Sequence, residues 1–355
     1  MPSLVNILSS AEQALAQLLA EVAAIERVDV RRVGAHAARS AIDLLVHLTA
    51  FGQRHRLAAA VIPSGQPRHV RAALLSLQDH VRRQPDPMTP ILIAPYLSSQ
   101  AQDLCRRYDV AYLDLEGNAR LAFGTFFLSR QSAAKPPVER RALRSLFKPK
   151  SAQVLKIMLR KPSLAWRVAP LAQAAGVSLG LVSNVRTALL DREWAGLSGD
   201  GMYLNAPDTL LDAWRRAYEP PMGSRHAYYT ALHGRAFDVA LRGQPSARSG
   251  HIALASFSAA QWLAPFGRTG TQYFYADAAG AEFLRTSLKL STAGKGENVM
   301  VTVLDDPGLF RDTVQPAPGV VCTSPVQTYL DLAASGERGQ EAADHLRQEW
   351  LQWQD

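Results

Sequence analysis

A chain of 355 residues with 47% hydrophobic and 20% charged residues has ordinary globular composition and the length for two or three domains. Its two cysteines, Cys105 and Cys322, lie far apart and join no Cys-x-x-Cys or Cys/His cluster, which argues against a disulfide framework or a zinc site. There is no apolar run near the roughly 20 residues that span a bilayer and no signal-peptide pattern at the start, so the expectation is a soluble cytoplasmic protein without membrane contact.

The formal net charge is +8, and it is concentrated: residues 130–192 carry thirteen basic side chains against Glu139 and Asp191, an excess of eleven, which leaves the rest of the chain acidic by three. A solvated face explains a short basic run, but an excess of that size in one segment points to phosphate contact.

In chain order, Leu4, Leu8, Ala11, Leu15, Leu18, Val22 and Ile25 alternate by four and three, which predicts a helix with one apolar stripe. Such a stripe suits either a seam between two copies of the chain, making a homodimer, or a helix docked on its own core, and Ile7 and Leu19 widen it toward the second. Strands are predicted at 42–48 and 57–62, a helix over 69–83, a buried strand at 91–94, a helix over 98–108, and strands at 111–115 and 120–127. This order describes a small α/β domain over 1–131. Residues 132–150, with three prolines and seven charges, are predicted to be a basic linker. A mainly helical domain with one hairpin follows over 151–218, then an α/β domain over 222–355 in which 299–304 is the clearest strand.

The central domain carries the most specific pattern. A helix-turn-helix needs a small residue where its helices cross, a residue that tolerates left-handed backbone in the turn, and apolar residues where the second helix packs back. Ala172, Gly176 and Val182 occupy those places, while Leu171, Ala175, Val177 and Val185 fill the other core positions. Ser178 is placed to cap the second helix, which then presents Gly180, Ser183, Asn184, Arg186 and Thr187 outward, with Asn184 and Arg186 as the predicted base readers. Residues 197–204 read as the wing, turning at Gly199, Asp200 and Gly201. Lys148, Lys150, Lys156 and Arg167 complete the predicted DNA-binding set as backbone contacts.

Four stretches, IAPYLSSQAQDLCRRYDVAYLDLEGNARL, SLFKPKSAQVLKIML, AGVSLGLVSNVRTALLDREW and SPVQTYLDLAASGERGQEAADHL, resemble the bacterial AbiEi-type family of antitoxin-like transcriptional regulators from type IV toxin-antitoxin systems. The similarity spans roughly residues 40–350. It implies a multidomain α/β protein: a restriction-endonuclease-like N-terminal domain, a central winged helix and an α/β C-terminal domain, with double-stranded DNA and a toxin or another protein as partners. An active nuclease of that fold carries an Asp at the start of one strand and an acid-x-Lys on the next, the acids holding the metal and the lysine facing the phosphate. Here Asp43 takes the first position, but Ala60 and Ile62 stand in place of the acid and the lysine. The implied domain is degenerate and the expected protein is a non-catalytic binder with no cofactor and no metal. The alternatives are a nuclease rebuilt around Asp43 or Asp114 and an architectural DNA-binding protein. Asp114, Glu116 and Asn118 read as a turn after a strand.

The remaining motifs carry less. The nine histidines show no metal-ligand spacing, and Ala293, Gly294, Lys295 and Gly296 lack the earlier glycine of a phosphate loop. Residues 257–265 faintly resemble a nucleotidyltransferase helix, yet the following strand supplies only Asp277 instead of paired carboxylates.

Overall fold

In the computed structural model, the described residues are 4–33, 41–132, 135–242, 250–267, 269–292 and 296–353. The fold is mixed α/β, and the chain divides into one unit of Met1–Arg140 with Leu190–Glu193 and a second of Arg141–Leu189 with Trp194–Asp355.

The first unit is built on a seven-stranded sheet. Its elements are α1 (Leu4–Ala20), β1 (Ile25–Arg32), β2 (Leu44–Ala50), β3 (Gln53–Val61), α2 (Pro67–Arg82), β4 (Thr89–Ala94), α3 (Ser99–Arg107), β5 (Ala111–Asp114), β6 (Ala119–Phe123) and β7 (Phe126–Arg130), with the strands side by side in sequence order. Strands β3, β4 and β5 run parallel, joined by crossovers through α2 and α3, while both flanks are antiparallel. Strand alternation divides the core between the faces. Ile7, Ala11, Leu15, Leu18 and Leu19 of α1 cover Val46, Leu57, Ile91 and Leu113, and Val70, Leu74 and Leu77 of α2 with Leu104 of α3 cover Ala58, Ala60, Leu92 and Tyr112.

The apolar stripe of the first helix is therefore buried in its own unit, the docked arrangement of the two that the spacing allowed. The helix stops at Ala20, and Ile25 opens β1, a strand whose IERVDVRR pattern has too little apolar character to stand out in the sequence. The segment predicted as one strand at 120–127 is a hairpin, because Gly124 adopts φ +53° and turns the chain between β6 and β7. Within residues 132–150, Pro137–Leu146 forms a helix, α4, and not an extended linker: proline is tolerated in a first turn, arginine favours helix, and Leu143 and Leu146 are buried.

The second unit continues with α5 (Pro149–Arg160), α6 (Val168–Ala175), α7 (Leu179–Asp191), β8 (Ala195–Ser198), β9 (Gly201–Leu204) and α8 (Pro207–Arg216). After them come β10 (Gly223–Tyr229), α9 (Arg235–Arg242), β11 (Ile252–Leu254), α10 (Ser256–Leu263), β12 (Gln272–Ala276), α11 (Ala278–Ser287), β13 (Ser291–Thr292), β14 (Val299–Leu304), a single 3-10 turn at Pro307–Arg311, β15 (Thr313–Ala317), β16 (Val320–Thr323), α12 (Pro325–Ala333) and α13 (Gly336–Trp350). These strands make a second seven-stranded sheet in the order β13-β10-β14-β12-β11-β16-β15. Phe237 and Leu241 of α9, Leu284 of α11 and Leu288 just after it join Leu254, Phe274, Val301 and Cys322 in its main core. Arg347 of α13 reaches Asp208 and Asp212 of α8 at 2.5 and 2.6 Å, tying the helix after the hairpin to the C-terminal helices. Residues 293–295 of the glycine-lysine turn lie outside the described residues, and Asp277 and Asp306 each cap the first turn that follows them.

Candidate nucleic-acid interface

The helix pair read from the sequence is formed as its spacing requires. Helix α6 ends at Gly176, whose left-handed backbone (φ +63°, ψ +40°) lets the Val177 amide donate back to the Ala172 carbonyl at 3.0 Å. The chain then turns through 111° into α7. The Leu181 amide donates to the Ser178 hydroxyl oxygen at 3.2 Å, so the predicted cap is made. Leu171, Ala172, Ala175, Val182, Val185 and Leu189 are buried between the helices and their support. Strands β8 and β9 form the hairpin around Gly199 and Asp200, and Trp166 pairs through its backbone with Met202 at 2.7 and 2.9 Å, adding a third strand segment beside β9 near the turn.

The outer face of α7 presents Gly180, Ser183, Asn184 and Thr187 to solvent, with Arg186 half-buried at its side. A Cβ at Gly180 would meet nothing within 4 Å, so the backbone of the first turn is open to close approach. Thr187 Oγ1 donates to the Ser183 carbonyl at 3.1 Å, while Ser183 and Asn184 stand free of the core.

The basic excess is partly consumed inside the protein. Arg130 pairs with Glu21 at 2.6 Å, Arg144 with Glu219 at 3.5 Å, Arg192 with Glu139 at 2.8 Å, and Arg160 Nε donates to Asp312 at 2.7 Å. Lys148, Lys150, Lys161 and Arg167 are exposed and have no ion pair among the described residues. Lys148 and Arg167 are the residues just before the first turns of α5 and α6.

Lys156, expected on the outside, is inside. It is 5% exposed, and its Nζ donates to Gln327 Oε1 of α12 at 2.5 Å. Helix α5 is buried nearly all round, and a helix so enclosed has no outer face for its lysine. Burial lowers the pKa of this ammonium, opposed by the nearby Asp312 and Asp331 carboxylates. Gln327 in turn donates to Asp331 Oδ1 at 3.0 Å, which also accepts from Tyr275 at 3.1 Å and from the Tyr218 hydroxyl. Burial pushes Asp331 up to about 6 in spite of these donors. No sequence pattern marked this polar cluster, because its members come from α5, α12, β12 and the segment after α8.

The positions of the first unit that the sequence compares with a nuclease site are put to structural use. Asp43 Oδ2 accepts from the Val61 amide at 2.7 Å, and Ala60 is packed in the core beneath α2. Asp114 is buried and accepts from the amides of Leu97, Glu116 and Asn118 and from the Asn118 side chain, at 2.8–3.1 Å, which makes it the organiser of a turn. Among the described residues no group of three His, Cys, Asp or Glu side chains is placed to hold a metal ion, and no single helix is long and apolar enough to cross a membrane.

No curated protein and no solved structure matches the chain. A family match does exist, and it is narrower than the resemblance over roughly 40–350, beginning after the helix pair. Residues 203–352 match the model of the family described as transcriptional regulator, AbiEi antitoxin, type IV TA system, so the chain carries an AbiEi-family region from β9 through α13.

Proposed function

We propose that the protein is a DNA-binding transcriptional regulator of the AbiEi antitoxin type, in which residues from α5 to β9 act as a winged helix-turn-helix and α7 lies in the major groove. The observation that carries this reading is the outer face of α7. Four small or polar residues, among them a glycine with open space beside it and an asparagine able to pair with adenine, occupy the turns that a reading helix turns toward bases. Lys148, Lys150 and Arg167 fit the role of phosphate contacts flanking that helix, and the hairpin tip fits a wing. The family's description adds transcriptional regulation and a place in a toxin-antitoxin system, which makes a toxin the first protein partner to seek.

In this reading the first unit is a nuclease-like fold without catalysis, because the Asp43 carboxylate is engaged by the Val61 amide and has neither a second acid nor a lysine beside it on β3. The test is footprinting and anisotropy with the full chain on the DNA upstream of its own reading frame, with salt varied. A protected site whose log affinity falls linearly with log salt supports the proposal. Absence of any duplex binding rejects it, and magnesium-dependent cleavage lost in Asp43→Ala replaces it with an enzyme.

A further inference from the structure

The first unit has a basic face of its own. Because β1, β2 and β3 are antiparallel neighbours, the alternation of side chains brings together residues that are scattered in sequence: Thr49 of β2 lies opposite Arg27 of β1 and Arg54 of β3, and His47 opposite Asp29 and Arg56. All these side chains point to the face that α2 and α3 cover farther along, at Ala58, Ala60 and Leu92, but the helices stop short of this end of the sheet. What remains is an open cleft of about 1100 Å³, lined by Arg27, Arg31, His47, Arg54 and Arg56 and closed on one side by the loop at Asp86.

The cleft favours an anion. Its four arginines and His47 face only two acids, Asp29 and Asp86. Arg31 pairs with Asp29 at 2.6 Å and Arg56 with Asp86 at 2.7 Å, yet both carboxylates are half or more exposed, so these pairs are weak enough to open. Arg56 Nε is a buried donor without a hydrogen-bond partner. Arg27 and Arg54 have no ion pair among the described residues. Arg54 and Arg56 stand on the end of β3 that pairs with β2 alone, since the pairing with β4 begins at Leu57.

We propose that this open face of β1, β2 and β3 is a second DNA-binding surface, one that grips the phosphodiester backbone of duplex DNA without reading bases. Along a strand, residues on one face repeat every ~6.8 Å, so the arginines form a two-dimensional grid of cations suited to a line of phosphates. The buried aromatic Phe123 offers no platform for unstacked bases, which favours a duplex over a single strand. The face is separate from the nuclease-like position at Asp43, which lies at the opposite end of β2.

The inference rests on the DNA-binding reading above, and one experiment separates the two. Anisotropy titrations over a range of salt compare the full-length wild type, Arg27→Ser with Arg54→Ser, and Arg27→Lys with Arg54→Lys, on a long duplex carrying the upstream site and on random duplex. We expect the serine pair to weaken both duplexes alike and to make the slope of log affinity against log salt shallower by about 2, one unit for each lost phosphate contact. The lysine pair should keep the wild-type slope. Hydrogen exchange of the wild-type chain should show DNA-dependent protection at residues 27–31 and 53–56, a readout that needs no variant to fold. An unchanged slope in the serine pair, or no protection there, overturns the second surface while leaving the reading helix intact. A wild type that binds no duplex overturns both. Loss of binding to phosphatidylglycerol vesicles, with duplex binding unaltered, would reassign the face to a membrane and overturn the proposal.

Discussion

Lys156 and Gln327 lie 171 residues apart in sequence and meet at 2.5 Å inside the second unit. The contact joins α5, which supports the helix pair, to α12 of the AbiEi-family region, and it converts a lysine that looks like a phosphate ligand into an internal strut. Replacing Lys156 by Ala removes both the buried stem and the donor to Gln327, and we expect a loss of about 2–4 kcal/mol in chemical denaturation. Lys156→Met, which fills the space without a charge, should be close to neutral. If both variants unfold at the wild-type midpoint, the strut is unimportant.

Asp331 sets a pH dependence of known sign. Its carboxyl is raised to about 6 in the folded chain, against an ordinary value near 4 when unfolded, so between those values the folded state binds more protons. Its contribution to stability is full below about pH 4, declines as pH rises to about 6 and is lost above that. In Asp331→Asn this decline should vanish, and the difference between wild type and variant, followed by thermal unfolding across the range, should grow in the variant's favour with rising pH. A difference that stays constant with pH would remove Asp331 as the titrating group.

The outer face of α7 makes a prediction about specificity. Asn184→Ala or Arg186→Ala should cost about 1–3 kcal/mol on the preferred site and little on random duplex, whereas Lys148→Ala with Lys150→Ala should weaken both DNAs equally. Equal losses from all four changes would mean that α7 contacts backbone only.

Gly176 is constrained twice, by its left-handed backbone and by the Arg311 side chain, whose Cζ would lie 2.8 Å from an added Cβ. Gly176→Ala should therefore destabilise the protein by about 1–2 kcal/mol through the backbone alone, since Arg311 is exposed and flexible enough to move aside. The cost should persist in an Arg311→Ala background. If Arg311→Ala abolishes it, the clash and not the left-handed turn sets the requirement for glycine.

What the sequence determined by itself is what depends on near neighbours along the chain. The helix pair was legible because Ala172, Gly176, Ser178 and Val182 act within about three turns of helix, where spacing alone dictates which side chains cross, turn, cap and pack. The same holds for the hairpin at Gly199 and for the strand Val299–Leu304. Tertiary structure decided whatever depends on distant pairing. Whether Lys156 faces water followed from what encloses α5, and the acid that shares its cluster, Asp331, arrives from the other end of the chain. The basic face of the first unit was invisible in the sequence because Arg27, Arg31, Arg54 and Arg56 alternate with Val28, Val30, His55 and Leu57 and form no run of charge. Only when β1 and β3 flank β2 in register does a period of two become a surface, and the sign of that surface is set by strand pairing that no local pattern encodes.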